Sequence, residues 1–325
     1  MNILVTGIAG FIGSHIAERL LALDHAVIGI DCFTDYYPRE LKQKNIDTLL
    51  KGKNFKFIEG DLLKIDLKKL LKDVDVIFHQ AAQAGVRASW GINFEIYTKN
   101  NILATQMLLE AAKEIPLKKF IYASSSSVYG NTRDLPTRED NLLQPVSPYG
   151  VTKLAAENLC MLYHINYKVP VTCLRYFTVY GPRQRPDMAF NKFIKAIIKD
   201  QEIIVYGDGS QTRDFTYISD AVEANLLAMG SNVVGEIFNI GGGSNIALSE
   251  VIKYIEEITG KTAIIKYETK QKGDVIHTSA DINKAKKHLN FVPKVGLKEG
   301  LTSEIEWMKK KENYNAAYWS NAHKK

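Results

Sequence analysis

The chain has 325 residues, 46% hydrophobic and 24% charged. That is globular composition, with room for roughly two core-forming units at about 100–200 residues each. The formal charge is +6, but segment 308–325 alone contributes +4, so the body carries no basic stripe suited to nucleic acid. Cys32, Cys160 and Cys173 are too scattered for a disulfide framework or a zinc site, and no metal is expected. No apolar run approaches the about 18 residues of a membrane span. Met1-Asn2 leads directly into an apolar run rather than a signal peptide. A cytoplasmic protein with no membrane or nucleic-acid partner is expected.

In chain order, short apolar runs occur at 3–6, 26–30, 55–60, 74–79 and 118–124, separated by stretches of helical periodicity. Uninterrupted apolar runs are what strands buried on both faces of a parallel sheet look like. Their alternation with helices predicts an α/β fold built on a doubly wound parallel sheet. Residues 101–113 carry apolar side chains at i, i+3, i+4 and i+7 and predict a helix. A second helix is predicted over 148–165, with Ser147 as N-cap and Pro148 in the first turn. A sixth strand follows at 169–177. Beyond about residue 180 the loops GPRQRPD (181–187) and YGDGSQTRD (206–214) are rich in potential ligand donors. Helices are expected there near 188–200, 219–230, 248–259 and 297–312, with strands at 202–206, 236–240 and 263–267.

Gly7, Gly10 and Gly13 lie between the first strand and the first helix, and Asp31 ends the second strand. Glycines let the backbone approach a pyrophosphate, and the helix N-terminus offers N–H donors and a favourable dipole. An acidic residue closing the second strand accepts hydrogen bonds from an adenosine ribose and repels a 2′-phosphate, which favours NAD over NADP. The predicted organisation is a Rossmann unit over 1–177 that the chain re-enters at 215–245. A smaller mixed α/β C-terminal unit for substrate covers 178–214 and 246–312, and 313–325 form a basic tail. His79 reads as a structural histidine at a strand end.

The GxxGxxG spacing, SSSSVYG (124–130) and YGVTK (149–153) together resemble the extended branch of the short-chain dehydrogenase/reductase superfamily. Its members are nucleotide-sugar epimerases, dehydratases and decarboxylases. The resemblance implies that Asp61 and Leu62 meet the adenine, and that Gln80, Ala81 and Ala82 line the pyrophosphate and nicotinamide ribose. It also places Phe11, Ile12, Asn101, Ser124 and Tyr176 at the cofactor. Tyr149 and Lys153, at i and i+4, leave one face of their helix. Oxidising a sugar alcohol needs a base, and a tyrosine of pKa about 10 needs help at neutral pH. A lysine ammonium nearby favours the phenolate. Tyr149 is therefore the expected base, Lys153 its tuner and ribose ligand, and Ser125 the proton relay.

Dehydratases of the superfamily carry an Asp-Glu pair where this chain has Ser126-Ser127, and decarboxylases carry a glutamate at the second position. Without that acid, reversible oxidation and reduction remains, which is epimerisation. By the same resemblance, Arg213 holds a nucleotide diphosphate, Phe190 and Tyr206 pack a uracil, and Asp274 holds a ribose. Gly85, Val86, Ala189 and Gln211 are further substrate positions. Gln271 stands where galactose-type epimerases often have an arginine. Thr178, followed by VYGP and RPDM, and AGVR (84–87) resemble the UDP-glucuronate 4-epimerases. Arg87, Thr178, Arg185, Ser126 and Ser127 are the residues expected at the sugar, with Arg185 at a C6 carboxylate. The alternative for Arg185 is an ion pair with Asp187 or another surface acid, and for Arg87 solvation or a structural salt bridge. The resemblance also implies a homodimer through the helices at 101–113 and 148–165. Competing readings are a UDP-glucose/UDP-galactose 4-epimerase, a UDP-glucuronate decarboxylase, and a non-enzymatic NAD-sensing protein. Retention of Tyr149, Lys153 and the serines opposes the last.

Overall fold

In the computed structural model, which describes residues 1–132 and 134–322, the apolar runs become strands, and those at the centre of the sheet are buried along nearly their whole length. The first half runs β1 (Asn2–Thr6), α1 (Phe11–Ala22), β2 (Ala26–Asp31), α2 (Arg39–Ile46), β3 (Phe55–Glu59), α3 (Leu67–Leu71) and β4 (Val76–His79). Next come α4 (Phe94–Tyr97), a π-helical segment (Thr98–Leu103), α5 (Ala104–Ala112), β5 (Lys119–Ser125), α6 (Pro148–Tyr167) and β6 (Val171–Tyr176). The chain continues through β7 (Thr178–Tyr180), α7 (Ala189–Ile198), β8 (Glu202–Tyr206), β9 (Thr212–Arg213), β10 (Phe215–Tyr217) and α8 (Ile218–Gly230). It finishes with β11 (Glu236–Ile240), β12 (Ile246–Ala247), α9 (Leu248–Thr259), β13 (Ile264–Glu268), α10 (Asn283–Leu289) and α11 (Leu297–Ala322).

Seven of these strands form one sheet in the order β11-β6-β5-β4-β1-β2-β3, every neighbouring pair parallel. It is a doubly wound Rossmann sheet whose winding reverses between β1 and β4, and α/β ligands bind at such a switch point. One face packs Ile16, Leu20, Ala221 and Ala224 from α1 and α8. The other packs Leu71, Leu108, Leu109 and Cys160 from α3, α5 and α6. A separate core joins Phe193, Ile197, Val251, Ile255, Leu301 and Ile305 of α7, α9 and α11. The chain returns to the large sheet at β11, where Phe238 pairs with Leu174.

Two sequence expectations shift. The helix expected at 101–113 is π-wound from Thr98 to Leu103 and becomes α-helical only at Ala104. Periodicity alone does not register the extra residue in such a turn. The tail expected from 313 continues α11 as backbone to Ala322, and residues 323–325 lie outside the described residues. Among the described residues, no helix is long and apolar enough to cross a membrane.

Candidate active site

The C-terminal ends of β1, β2, β4 and β5 surround one cavity. At its floor Gly7 has φ +68°, and a Cβ there would stand 2.8 Å from the Cα and N of Ala81. The β1–α1 turn can therefore lie on the β4 loop only as glycine. α1 starts with Gly10 as N-cap and no side-chain cap, so its first-turn N–H groups face the crevice without a protein acceptor. Asp31 accepts the N–H of Ala9 at 3.0 Å and of Phe33 at 2.8 Å. Burial raises its pKa, while those amide bonds and the Lys42 ammonium pull it down. Phe11, Ile12, Gly13, Asp61, Leu62, Gln80, Ala81, Ala82, Ser124 and Tyr176 share the wall. An uncapped helix N-terminus for a pyrophosphate and a carboxylate with spare lone pairs for a ribose diol fit an NAD molecule.

Asn101 is a correction. It lies behind the wall, accepting the Gln83 N–H at 2.7 Å and donating to Gln83 O at 3.0 Å and Thr152 Oγ1 at 2.9 Å. It braces the β4 loop against α6 because the π-helical segment turns it inward. Ser124 stays on the cavity wall, its hydroxyl donating to Glu157 Oε2 at 2.6 Å. His79 is fully buried, and burial lowers its pKa to about 3. Thr105 donates to Asn101 O, so it accepts from His79 Nε2, while Nδ1 meets Thr6 Oγ1 at 2.7 Å. That histidine is a neutral link between strand ends.

Ser147 caps α6 through Gly150 N–H at 3.1 Å, which sets the phase of the helix and puts Tyr149 and Lys153 on the cavity wall. Burial raises the Tyr149 phenol pKa, opposed by the nearby Ser125 hydroxyl and by the charge of Arg185. Burial likewise holds Lys153 down to about 8, with the Cys160 thiol and the Glu157 carboxylate opposing. Lys153 Nζ sits 4.8 Å from the centre of the Tyr122 ring. Arg185 joins Tyr149 and Lys153 on the cavity wall, and its charge also favours the Tyr149 phenolate. Lys153 is turned toward the sheet, where Glu157 receives Arg175 Nε at 3.0 Å and Nη2 at 2.7 Å.

Beyond the cavity, Arg87 pairs with Asp274 (Nη2 to Oδ2, 2.6 Å) and its guanidinium lies 4.2 Å from the Tyr206 ring centre. Gln211 donates to Tyr206 O at 3.0 Å, and Arg213 donates to the carbonyls of Val275 at 2.6 Å and Ile276 at 3.0 Å. These five residues form one cluster, and the structural salt bridge weighed for Arg87 is present. Gly85 and Val86 precede Arg87 on the β4 loop, and Gly273 lies against Val86. Ser126 and Ser127 follow β5 half-buried, as does Thr178 at the start of β7. Ala189 is exposed at the start of α7, but the Phe190 ring is in the core, 4.6 Å from Phe215 and 5.4 Å from Tyr180. That corrects its expected role as an open stacking surface, because the strong apolar face of α7 is consumed by the core. Arg185 lines the cavity with Tyr149 and forms a double bond pair with Asp187, Nε to Oδ1 and Nη2 to Oδ2, both 2.9 Å. The ion pair weighed from the sequence is therefore formed.

A family model described as the NAD dependent epimerase/dehydratase family matches residues 3–241. The chain belongs to this epimerase/dehydratase family. An uncharacterized UDP-glucose epimerase of Bacillus subtilis is 49% identical over 310 residues, 95% of this chain and 98% of that protein. A UDP-glucuronate 4-epimerase of Thermodesulfobacterium geofontis is 42% identical, covering 94% and 95% of the two chains. The crystal structure of a Bacillus cereus UDP-glucuronic acid 4-epimerase, in complex with UDP-glucuronic acid and NAD, superposes with a TM-score of 0.93 at 48% identity. It covers 95% of this chain and 99% of that one.

Several residues at this epimerase-family site escaped the sequence reading. Glu157 continues the face of Tyr149 and Lys153 by one more turn, a spacing that could have exposed it. Arg175 sits in a run read as a buried strand, where an arginine demands a partner. Asn225 donates to the Tyr176 hydroxyl at 2.7 Å from α8, and Tyr36 reaches Asp187 at 3.1 Å. Those two carried no sequence signal, since their partners lie 49 and 151 residues away.

Proposed function

We propose that the chain inverts C4 of UDP-glucuronate to give UDP-galacturonate through a transient 4-keto intermediate, retaining NAD throughout. The placement of Tyr149 and Lys153 on one cavity wall with the GxxGxxG turn carries the reading. Held by these residues, NAD would supply the acceptor and donor for a hydride at C4. Tyr149 takes the proton of the 4-hydroxyl, directly or through Ser125, and gives it back in the second half-reaction. Lys153 holds a nicotinamide ribose and supports the phenolate. Gly7, Gly10, Gly13, Asp31, Asp61 and Gln80 hold the dinucleotide, while Arg87, Tyr206, Gln211, Arg213 and Asp274 hold the nucleotide of the substrate. Ser126 and Ser127 supply no acid, so the keto sugar has no group to expel water or to drive loss of carboxylate.

Thr178, Arg185, Ser126 and Ser127 are assigned to the C6 carboxylate, which must be hydrogen-bonded when desolvated. A second reading, UDP-glucose/UDP-galactose 4-epimerase, is favoured by Asp187, which offsets the Arg185 charge. Pure protein, with no added cofactor, should convert UDP-glucuronate and leave UDP-glucose and UDP-xylose nearly untouched when products are resolved chromatographically. Preferential conversion of UDP-glucose would select the second reading. Dependence on a stoichiometric external oxidant would indicate a net dehydrogenase.

The division proposed is an NAD-binding unit of 1–177 with 215–245 and a UDP-sugar unit of 178–214 with 246–312. It is supported by the placement of β11 on the large sheet and the separate core of α7, α9 and α11. A homodimer is supported by exposed Leu103, Val151, Leu162 and Ile165 along the π-helical segment and α6. Three free thiols support a reducing, cytoplasmic setting.

A further inference from the structure

Arg185 is held from behind. Asp187 occupies its Nε and Nη2, and Nη2 also reaches Met188 Sδ at 3.4 Å, which leaves the Nη1 edge outside the pair. The same Asp187 carboxylate accepts the Tyr36 hydroxyl at 3.1 Å, and the Arg185 guanidinium lies 5.8 Å from the Tyr36 ring centre. Tyr36 belongs to the loop after β2, five residues beyond Asp31, and lines the cavity together with Arg185 and Tyr149. Its hydroxyl is seated on Gly85, where φ is +102° and a Cβ would stand 2.0 Å from the Tyr36 oxygen. Gly85 is itself fixed, because Tyr97 donates to the carbonyls of Ala84 and Gly85, each at 2.8 Å, with its ring edge-on to Tyr149. Three loops, after β2, β4 and β7, thus converge on one guanidinium.

We infer that Tyr36 and Asp187 are positioning residues that hold Arg185 by one edge and present its Nη1 edge to the sugar substituent beside Tyr149. The inference rests on the reading of this cavity as a UDP-sugar epimerase site. A guanidinium on a flexible stem loses rotamer freedom when it binds an anion, and a bidentate pair removes that freedom before the substrate arrives. Neutralised by Asp187, Arg185 acts as a directed donor more than as a free charge. Tyr36 adds a hydroxyl that keeps Asp187 from following the substrate out of the pair. Tyr36 also joins the loop that follows the dinucleotide-facing Asp31 to the loop that carries Arg185.

The experiment is a double-mutant cycle on the NAD-containing protein, pairing Tyr36→Phe with Arg185→Ala. Tyr36→Phe keeps the ring and removes only the bond to Asp187. It should lower kcat/KM for UDP-glucuronate about five- to tenfold, while the Kd for UDP, which lacks the sugar, stays within about twofold. In the Arg185→Ala background the same change should have almost no effect, because Tyr36 acts through Arg185. Asp187→Glu should retain more activity than Asp187→Asn, since only the former keeps a carboxylate. Additive losses in the cycle, or an equal loss of UDP affinity, would overturn the inference and make Tyr36 a packing residue. If wild type turns over UDP-glucose instead, the cycle is run on that sugar: the substrate reading then fails, while positioning is still decided by additivity. Bound NAD, measured by absorbance after denaturation, separates loss of cofactor from loss of positioning.

Discussion

Tyr149 works in a setting that opposes it: burial raises the phenol pKa, while Ser125 and Arg185 lower it. Tyr149→Phe keeps the ring and loses the proton acceptor, so epimerisation should fall by roughly 10²–10⁴ while NAD stays bound. Single-turnover assays on variant protein of known NAD content check this. Lys153 is held down to about 8, so its ammonium is present below that pH and lost as pH rises through it. The wild-type kcat should fall on the alkaline side of about 8, and Lys153→Met should lack that limb while being slow throughout. A pH–rate profile of both proteins reads the difference. With Arg185 at the C6 carboxylate as proposed, Arg185→Ala would remove a charge-assisted hydrogen bond worth about 1.5–3 kcal/mol. UDP-glucuronate turnover should therefore drop at least roughly tenfold more than residual UDP-glucose turnover. Loosening the carboxylate should also let it align with the 4-keto group, raising the fraction lost as CO2 and a keto-pentose, which product chromatography would detect.

At the level of elements, α11 sets the start of the loop that carries Arg185. Glu304 of α11 is fully buried, accepts the N–H of Gly181 at 2.9 Å with one oxygen, and has no hydrogen-bond partner for the other among the described residues. Burial pushes its pKa from 4.5 up to about 8. A group whose folded pKa is raised stabilises the fold fully below its unfolded pKa, and that contribution is lost as pH rises through the folded value. Stability should therefore decline between about pH 4.5 and 8 on account of this carboxyl. Glu304→Gln keeps the acceptor for Gly181 and cannot ionise, so the variant should lose that slope. It should be more stable than wild type at pH above 8, by on the order of 1–3 kcal/mol, and melt at a higher temperature. Thermal melts of both proteins across that range are the check, and parallel curves would exclude Glu304 as the titrating group.

Across the whole molecule, α6 serves two faces. Its inner face carries Tyr149, Lys153 and Glu157, and its outer face exposes Val151, Leu162 and Ile165. An apolar stripe on the outer face of a site-bearing helix fits burial against a second copy. Leu162→Asp combined with Leu103→Asp should convert a dimer to a monomer in light scattering. Activity should fall with it, since α6 would lose its outer support. A wild-type monomer at assay concentration would remove the dimer from the account.

The sequence by itself determined the elements and the chemistry carried by local spacing. The apolar runs became β1 through β6, the Ser147-Pro148 start set the phase of α6, and the GxxGxxG turn and the Tyr149/Lys153 pair needed only near neighbours. These are legible because strand burial, capping and helical periodicity act over a few residues. What only the tertiary structure decided is how charges are shared between distant segments. Arg185 was identified from its motif, but the fold paired it with Asp187 and brought in Tyr36 from 151 residues away. Phe190 was a candidate surface until Tyr180 and Phe215 enclosed it. Asn101 moved behind the cavity wall because a π-helical segment turned it toward Gln83 and Thr152. Arg185 joined Tyr149 and Lys153 in the cavity because the loop after β7 carries it there. In each case the energy lies in partners that the sequence separates and the sheet order brings together, so no local pattern encodes it.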